Sequence, residues 1–304
     1  MTPENLRAVL LILAGMVAFT TNDALVKLLT ERLPVGQVMF VRGIAVVALL
    51  LALLRRRHRA VPLAACLQRH VVVRALLEAG ITFCFLAALA RMPIANATTL
   101  FFSAPIMLTV LAALVLGEQV GPRRWAAVVV GFVGVVIVAG PRGEFSLIAL
   151  LPVAAAAMSA TRDIVTRFVP PAVPSIAVSL ASAATVAAAG LITAPGGWPM
   201  PTAGELALML VCSLLVTVGY LAYVAAIRLG EVSLVAPVRY TAIPFAMLAG
   251  YLLWGHVPAA TTWLGTAVII GSGLFIFHRA RRAQAVAAAT SATAPTKSGT
   301  IEKP

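Results

Sequence analysis

The segment TNDALVK at residues 21–27 returns as TRDIVTR at residues 161–167, each time inside a long apolar stretch. In both copies an acid precedes a base by four positions, as Asp23 precedes Lys27 and Asp163 precedes Arg167. Charged residues inside apolar segments are costly, so the same pattern seldom arises twice by chance. The sequence therefore indicates an internal duplication in a membrane protein.

The composition of the whole chain agrees with a membrane location. Of its 304 residues, 61% are hydrophobic and only 11% are charged, and the mean hydropathy is +1.01. A soluble domain has about 25% charged residues. Apolar runs recur from Leu6 to Phe277 without the alternation that barrel strands show. We therefore expect an all-α membrane protein.

The apolar runs divide into ten predicted transmembrane helices. Each is long enough to cross a hydrocarbon core about 30 Å thick. The predicted spans are residues 7–29, 37–54, 72–90, 95–116, 124–140, 147–168, 174–194, 205–226, 232–254 and 260–278.

The duplication extends over both halves of the chain. Gly117 and Trp125 in the first half have counterparts in Gly255 and Trp263 in the second. Each half holds five predicted spans, and five is odd, so the second half must enter the membrane upside down. Such inverted-topology repeats recur in secondary transporters, with the substrate site near the midplane. We predict a first five-helix repeat at 7–140, a second at 147–279, and a disordered cytoplasmic tail at 280–304.

The formal net charge is +13, and many of the basic residues lie in the links between apolar runs. Its largest cluster, Arg55, Arg56, Arg57 and Arg59, lies in a short link between two apolar runs. Basic loops fix the orientation of membrane proteins, and this explains the charge without a nucleic-acid partner. The bias predicts a multi-pass protein with both termini in the cytoplasm.

At these features the chain resembles the drug/metabolite transporter superfamily, EamA type. The resemblance includes a fourth span ending in Gly117-Glu118 and the glycine-rich Gly131-Phe132-Val133-Gly134. A narrower likeness, to bacterial S-adenosylmethionine uptake carriers, rests on Asn22-Asp23 with Lys27, QVMFVR at 37–42, VRALL at 73–77 and APVRY at 236–240. The resemblance implies a ten-helix bundle that moves small metabolites or amino acids across the inner membrane.

Four residues are candidates for substrate binding: Arg42, Glu78, Arg239 and Tyr240. Neither arginine has a basic counterpart in the other half, so symmetric packing does not require it. An arginine within a span needs a partner, and depth favours Asp23 for Arg42 and Glu78 for Arg239. Two interpretations stay open: the arginines form structural ion pairs, or they bind a substrate carboxylate with their planar fork.

Asp23, Lys27, Asp163 and Arg167 are candidates for gates. In an inverted repeat the two acid–base pairs lie near opposite mouths of the bundle, which favours outer and inner gates over one central site. A structural alternative is that the acid and the base of each pair form an ion pair with each other while the basic side chain reaches the lipid headgroups.

These patterns predict a secondary transporter that moves an amino acid or an S-adenosylmethionine-like metabolite by alternating access. The expected partners are this substrate and the lipid bilayer, with a coupling proton left open and Glu78 and Asp23 as its carriers. No cofactor or metal is expected. A channel-like facilitator is an alternative. An intramembrane enzyme is disfavoured because no GxSxG or HExxH motif is present.

Overall fold

A computed structural model describes residues 3–56, 62–118, 120–140, 146–229 and 237–293. The described residues form helices and no strand. The α-helices are α1 Pro3–Thr30, α2 Val35–Arg56, α3 Leu63–Cys66, α4 Arg69–Leu89, α5 Ile94–Phe101, α6 Ala104–Val115, α7 Pro122–Ala139, α8 Leu150–Thr166, α9 Ser175–Leu191, α10 Ala203–Leu229, α11 Ala242–Trp254 and α12 Ala260–Thr293. Short 3-10 turns lie at Leu147–Ala149, Ala194–Gly196 and Arg239–Thr241.

Nine helical segments within the described ranges are long and apolar enough to cross a membrane. Helices satisfy their own backbone hydrogen bonds, which lipid cannot do. The protein is therefore a multi-pass membrane protein. The remaining predicted span, 232–254, falls partly outside the described residues, and its described part is the turn at Arg239–Thr241 followed by α11. Ten spans stay a prediction.

The connections alternate between two faces of the bundle. One face, here called the basic face, holds the ends of helices at Arg56, Arg69, Pro122 and Thr166. The other, the opposite face, holds Thr30, Leu89 and Ala139. The basic loop predicted at residues 55–59 extends from Arg56 into residues that lie outside the described ranges.

Close helix packing builds the bundle. α1 packs along α10, α4 along α8, α2 along α9 and α7 along α12. Small residues permit the α2–α9 approach: a Cβ added to Gly190 would lie 2.5 Å from the carbonyl oxygen of Gly36, and one added to Gly43 would lie 2.7 Å from the Cβ of Ala187. Helices in lipid commonly associate through such small residues.

Two segments near mid-depth depart from continuous helix. The predicted span 95–116 is two helices, because α5 ends at Phe101 and α6 starts at Ala104. Pro105 has no N–H to donate to the carbonyl of Phe101 four residues earlier, which favours this break. In the second half, α11 follows a 3-10 turn, and Pro244 likewise cannot donate to the carbonyl of Tyr240.

The last helix, α12, continues to Thr293, past residue 280 at which the sequence predicts the tail to begin. Residues 294–304 lie outside the described ranges, and disorder there stays a prediction.

Candidate functional site

A chain of aromatic rings crosses from the first half of the protein to the second at the helix breaks. The ring centroids of Phe85 and Phe101 are 5.0 Å apart, and those of Phe101 and Phe102 are 6.4 Å apart. Phe102 then meets Tyr240 of the second half at 5.5 Å. Phe102 follows the eight residues of α5, a helix that begins at the opposite face. At 1.5 Å per residue, these rings therefore lie roughly 12 Å from that face. We call Phe85, Phe101, Phe102 and Tyr240 the aromatic chain.

Glycine and arginine complete this region. The hydroxyl of Tyr240 lies where a Cβ on Gly273 of α12 would be, so only glycine accommodates the ring in this position. The guanidinium of Arg239 lies 5.3 Å from the ring of Tyr223 in α10, a cation–π distance. Arg239 is exposed and has no ion pair in the described part of the chain. The predicted neighbours Arg239 and Tyr240 are thus both placed at this region.

Glu78 pairs with Arg162, and the Glu78–Arg239 pair predicted from depth is wrong. Nη1 of Arg162 lies 3.0 Å from Oε2 of Glu78, and its Nη2 lies 2.8 Å from Oδ1 of Asp163. Nη2 also donates to Ser159. Depth alone did not identify the partner because Arg162, from α8 of the second half, reaches α4 of the first.

Two further contacts surround this cluster. Arg74 donates to the hydroxyls of Thr166 and Ser182, at 3.1 and 2.8 Å. Arg167 pairs with Glu118 at 3.1 Å and not with Asp163. The predicted Asp163–Arg167 pair is therefore not formed. We call Glu78, Arg162 and Asp163 the ionic cluster; it joins the two halves on the side of the basic face.

Arg42 and Asp23 meet through an amide. Nη2 of Arg42 donates to Oδ1 of Asn22 at 2.7 Å, and Nδ2 of Asn22 donates to Oδ1 of Asp23 at 2.9 Å. The structure thus brings Arg42 and Asp23 into one neighbourhood, as expected from depth, but not into direct contact. The Nε of Arg42 is buried and has no hydrogen-bond partner among the described residues. We call Asn22, Asp23 and Arg42 the amide cluster; it lies toward the opposite face.

Lys27 does not pair with Asp23. Its ammonium donates to the carbonyls of Leu89 and Met92, at 2.6 and 2.9 Å, and lies 5.4 Å from the ring of Trp254. A cation at the end of α4 suits the negative end of the helix dipole. Lys27 therefore connects α1 to the end of α4. This contact is structural, and it differs from the gate pair with Asp23 that the sequence suggested.

Sequence reasoning missed Arg162 and Asn22 as participants. Both occupy the same place in the repeated segment, directly before the aspartate. It is the position within the segment at which the two copies differ in charge, and that difference is the signal that could have identified them.

Residues 6–140 and residues 146–278 each match the EamA-like transporter family. The chain belongs to this family. Transport rather than catalysis is therefore its activity.

Named relatives and one solved structure agree with this assignment. A riboflavin transporter of Rhizobium johnstonii is 34% identical over 217 residues, which cover 70% of this chain and 71% of the relative. An S-adenosylmethionine uptake transporter of Rickettsia felis is 28% identical over 272 residues, covering 89% and 92%. A crystal structure at 20% identity matches with a TM-score of 0.62, covering 90% of this chain and 98% of that one, and it shows the fold alone.

Proposed function

We propose that the protein is a secondary transporter that moves a planar heteroaromatic metabolite across the bacterial inner membrane by alternating access. The observation that carries the proposal is the aromatic chain at the two helix breaks, with the cation of Arg239 beside it. Aromatic rings stack on a planar ligand, and arginine binds an anionic or carbonyl group at its edge. Both halves of the protein contribute rings to the aromatic chain, as a site between two moving halves requires.

The packing supports an inverted repeat. If the halves are related by a two-fold axis in the membrane plane, the contact of the first span with the eighth has its mate in that of the third with the sixth. These are α1 with α10 and α4 with α8, and both contacts are extensive. The two helix breaks also fall in the related fourth and ninth spans. We propose the repeats at residues 7–140 and 147–279 with the basic face, and both termini, in the cytoplasm.

Within this frame we assign roles to the candidates. Arg239 and Tyr240 bind substrate. The ionic cluster and the amide cluster lie on opposite sides of the aromatic chain, so we assign them to the cytoplasmic and outer gates. Glu78 thereby moves from the substrate site to the cytoplasmic gate, since Arg162 neutralises it. Arg42 belongs to the outer gate and also contacts the substrate as it enters from that side, since its buried Nε has no hydrogen-bond partner among the described residues.

The choice of substrate class rests on the rings. Two of the similar proteins are named as transporters of riboflavin and of S-adenosylmethionine, and each of these compounds contains a fused heteroaromatic ring system. A simple amino acid offers no such plane to four consecutive rings. The rings now contact each other, so a substrate enters by separating Phe102 from Tyr240, a movement that would couple binding to the relative position of the halves.

The test is counterflow in proteoliposomes that contain the purified chain, with riboflavin, S-adenosylmethionine and an amino acid as separate substrates. We expect saturable counterflow of a heteroaromatic compound, which a channel does not give. Tyr240→Ala should reduce its rate about fivefold or more, because loss of one stacking ring costs about 1–3 kcal/mol. The matched control is Tyr251→Ala, since Tyr251 is 58% exposed on the bundle surface. Equal losses in the two variants, or counterflow of the amino acid alone, would overturn the proposal.

A further inference from the structure

A groove lies on the outside of the bundle between α7 and α12, away from the candidate transport site. It encloses about 370 Å³. None of the aromatic chain, the ionic cluster or the amide cluster lines it. Its lining residues are Arg123, Ala126, Ala127, Val130, Gly271, Ser272 and Phe275.

The groove is built from one face of each helix. On α7 its residues recur at the i, i+3, i+4 and i+7 positions from Arg123, and on α12 they run one turn from Gly271 to Phe275. A Cβ added to Gly271 would meet nothing within 4 Å, so the glycine leaves the floor open. Val130 and Phe275 are 52% and 43% exposed, which gives the groove apolar walls.

Cations lie at the end of the groove nearest the basic face. Arg123 is exposed there, and Arg279 and Arg282 follow Phe275 by four and seven positions on the same face of α12. The described ion pairs involve none of these arginines, and neither helix contains an acidic residue. The Nε of the adjacent Arg124 is buried without a hydrogen-bond partner in the described part of the chain.

We propose that this groove binds an anionic phospholipid, with an acyl chain along Val130 and Phe275 and the phosphate held by Arg123 and Arg279. Apolar grooves with a basic mouth between membrane helices suit the headgroups of anionic lipids. A zwitterionic lipid such as phosphatidylcholine carries its own cation beside the phosphate, so it neutralises the arginines less well than an anionic lipid does. A second copy of the chain would bring like-charged arginines together, which is unfavourable. The inference is independent of the substrate proposed above.

The test is native mass spectrometry of the full chain in detergent with added phosphatidylglycerol or phosphatidylcholine. We expect retained adducts of phosphatidylglycerol. Arg123→Gln with Arg279→Gln should lower their yield about tenfold relative to phosphatidylcholine, since each arginine near an anionic headgroup contributes a few-fold to affinity. Gly271→Leu should lower it with all charges intact, because the leucine fills the floor.

The matched control is Arg56→Gln with Arg281→Gln, which removes the same charge from the same face. Arg281 is on α12 but, at 100° per residue, points away from the groove. We expect this variant to keep the adducts. Equal loss in the control would show a diffuse basic surface, and adducts that persist in Gly271→Leu would show another site; either result overturns the proposal. So would a dimer of the parent chain that Gly271→Leu dissociates.

Discussion

The ionic cluster and the amide cluster occupy corresponding places in the two copies of the repeated segment but have different chemistry. In the first copy Asn22 precedes Asp23, and the amide connects this acid to Arg42. In the second copy Arg162 takes the place of Asn22 and pairs directly with Asp163 and with Glu78. The difference between Asn22 and Arg162 thus contributes a hydrogen-bonded amide to one cluster and an ion pair to the other.

The two clusters also join different parts of the molecule. The amide cluster connects α1 to α2, both in the first half. The ionic cluster connects α4 of the first half to α8 of the second. Of the two clusters, the ionic cluster is the one that connects the halves through an ion pair. The side chains of Arg162 and Glu78 are 22% and 27% exposed, which limits solvent screening. The two copies of the segment therefore keep their positions while their chemistry differs, so the two sides of the transporter need not open equally easily.

The largest effect is expected from Glu78→Arg. The new guanidinium would face Arg162, and like charges in contact cost several kcal/mol, so the cytoplasmic side should stay open and counterflow should fall about tenfold or more. Adding Arg162→Glu restores an opposite-charge pair and should recover much of the rate. Cysteine labelling from each side checks the open state.

The control for this reversal is Glu118→Arg, which reverses the charge facing Arg167. The side chains of Arg167 and Glu118 are 55% and 40% exposed, and exposed pairs contribute about 0–1 kcal/mol. Its counterflow should stay close to that of the parent. If Glu118→Arg reduced transport as much, or if the double swap failed to recover it, the ionic cluster would not be a gate.

Much of the fold follows from the sequence, because hydropathy and loop charge act over whole segments. Hydropathy predicted the nine spans that the described residues confirm, and the sequence motifs predicted the family. The partner of Glu78 was not, because an arginine side chain reaches across helices and several residues along the axis. The helix break at Phe102 has a local signal in Pro105, yet proline inside a membrane helix produces either a kink or a break, and packing decides which.

A smaller effect is expected from replacing one of the two aspartates, Asp23 or Asp163, as the carrier of a coupling proton. Asp23 receives a hydrogen bond from Asn22 and has no ion pair in the described residues, whereas Asp163 has Arg162 beside it. Asp163 is thus engaged in an ion pair that Asp23 lacks, and we take Asp23 as the candidate proton carrier. We expect Asp23→Asn to abolish stimulation of uptake by an imposed pH gradient while counterflow continues.

Asp163→Asn is the matched variant and should retain the response to the gradient. The measurement is initial uptake into proteoliposomes with and without the gradient. A parent protein that ignores the gradient would exclude coupling through either acid. Loss of the response in Asp163→Asn alone would reverse the assignment of the two clusters.

The smallest effect on transport is expected from Lys27→Met, although Lys27 belongs to the repeated segment. Its ammonium bonds to the carbonyls of Leu89 and Met92 and not to Asp23, so its loss should lower the stability of the protein by about 2 kcal/mol and leave the amide cluster intact. Thermal unfolding in detergent should show a lower midpoint, with counterflow per folded molecule close to the parent. Arg91→Gln, an exposed cation on the same face, should change neither quantity. A Lys27→Met protein with an unchanged unfolding midpoint but no counterflow would place Lys27 in the outer gate. The amide cluster and the ionic cluster would then both be charged gates.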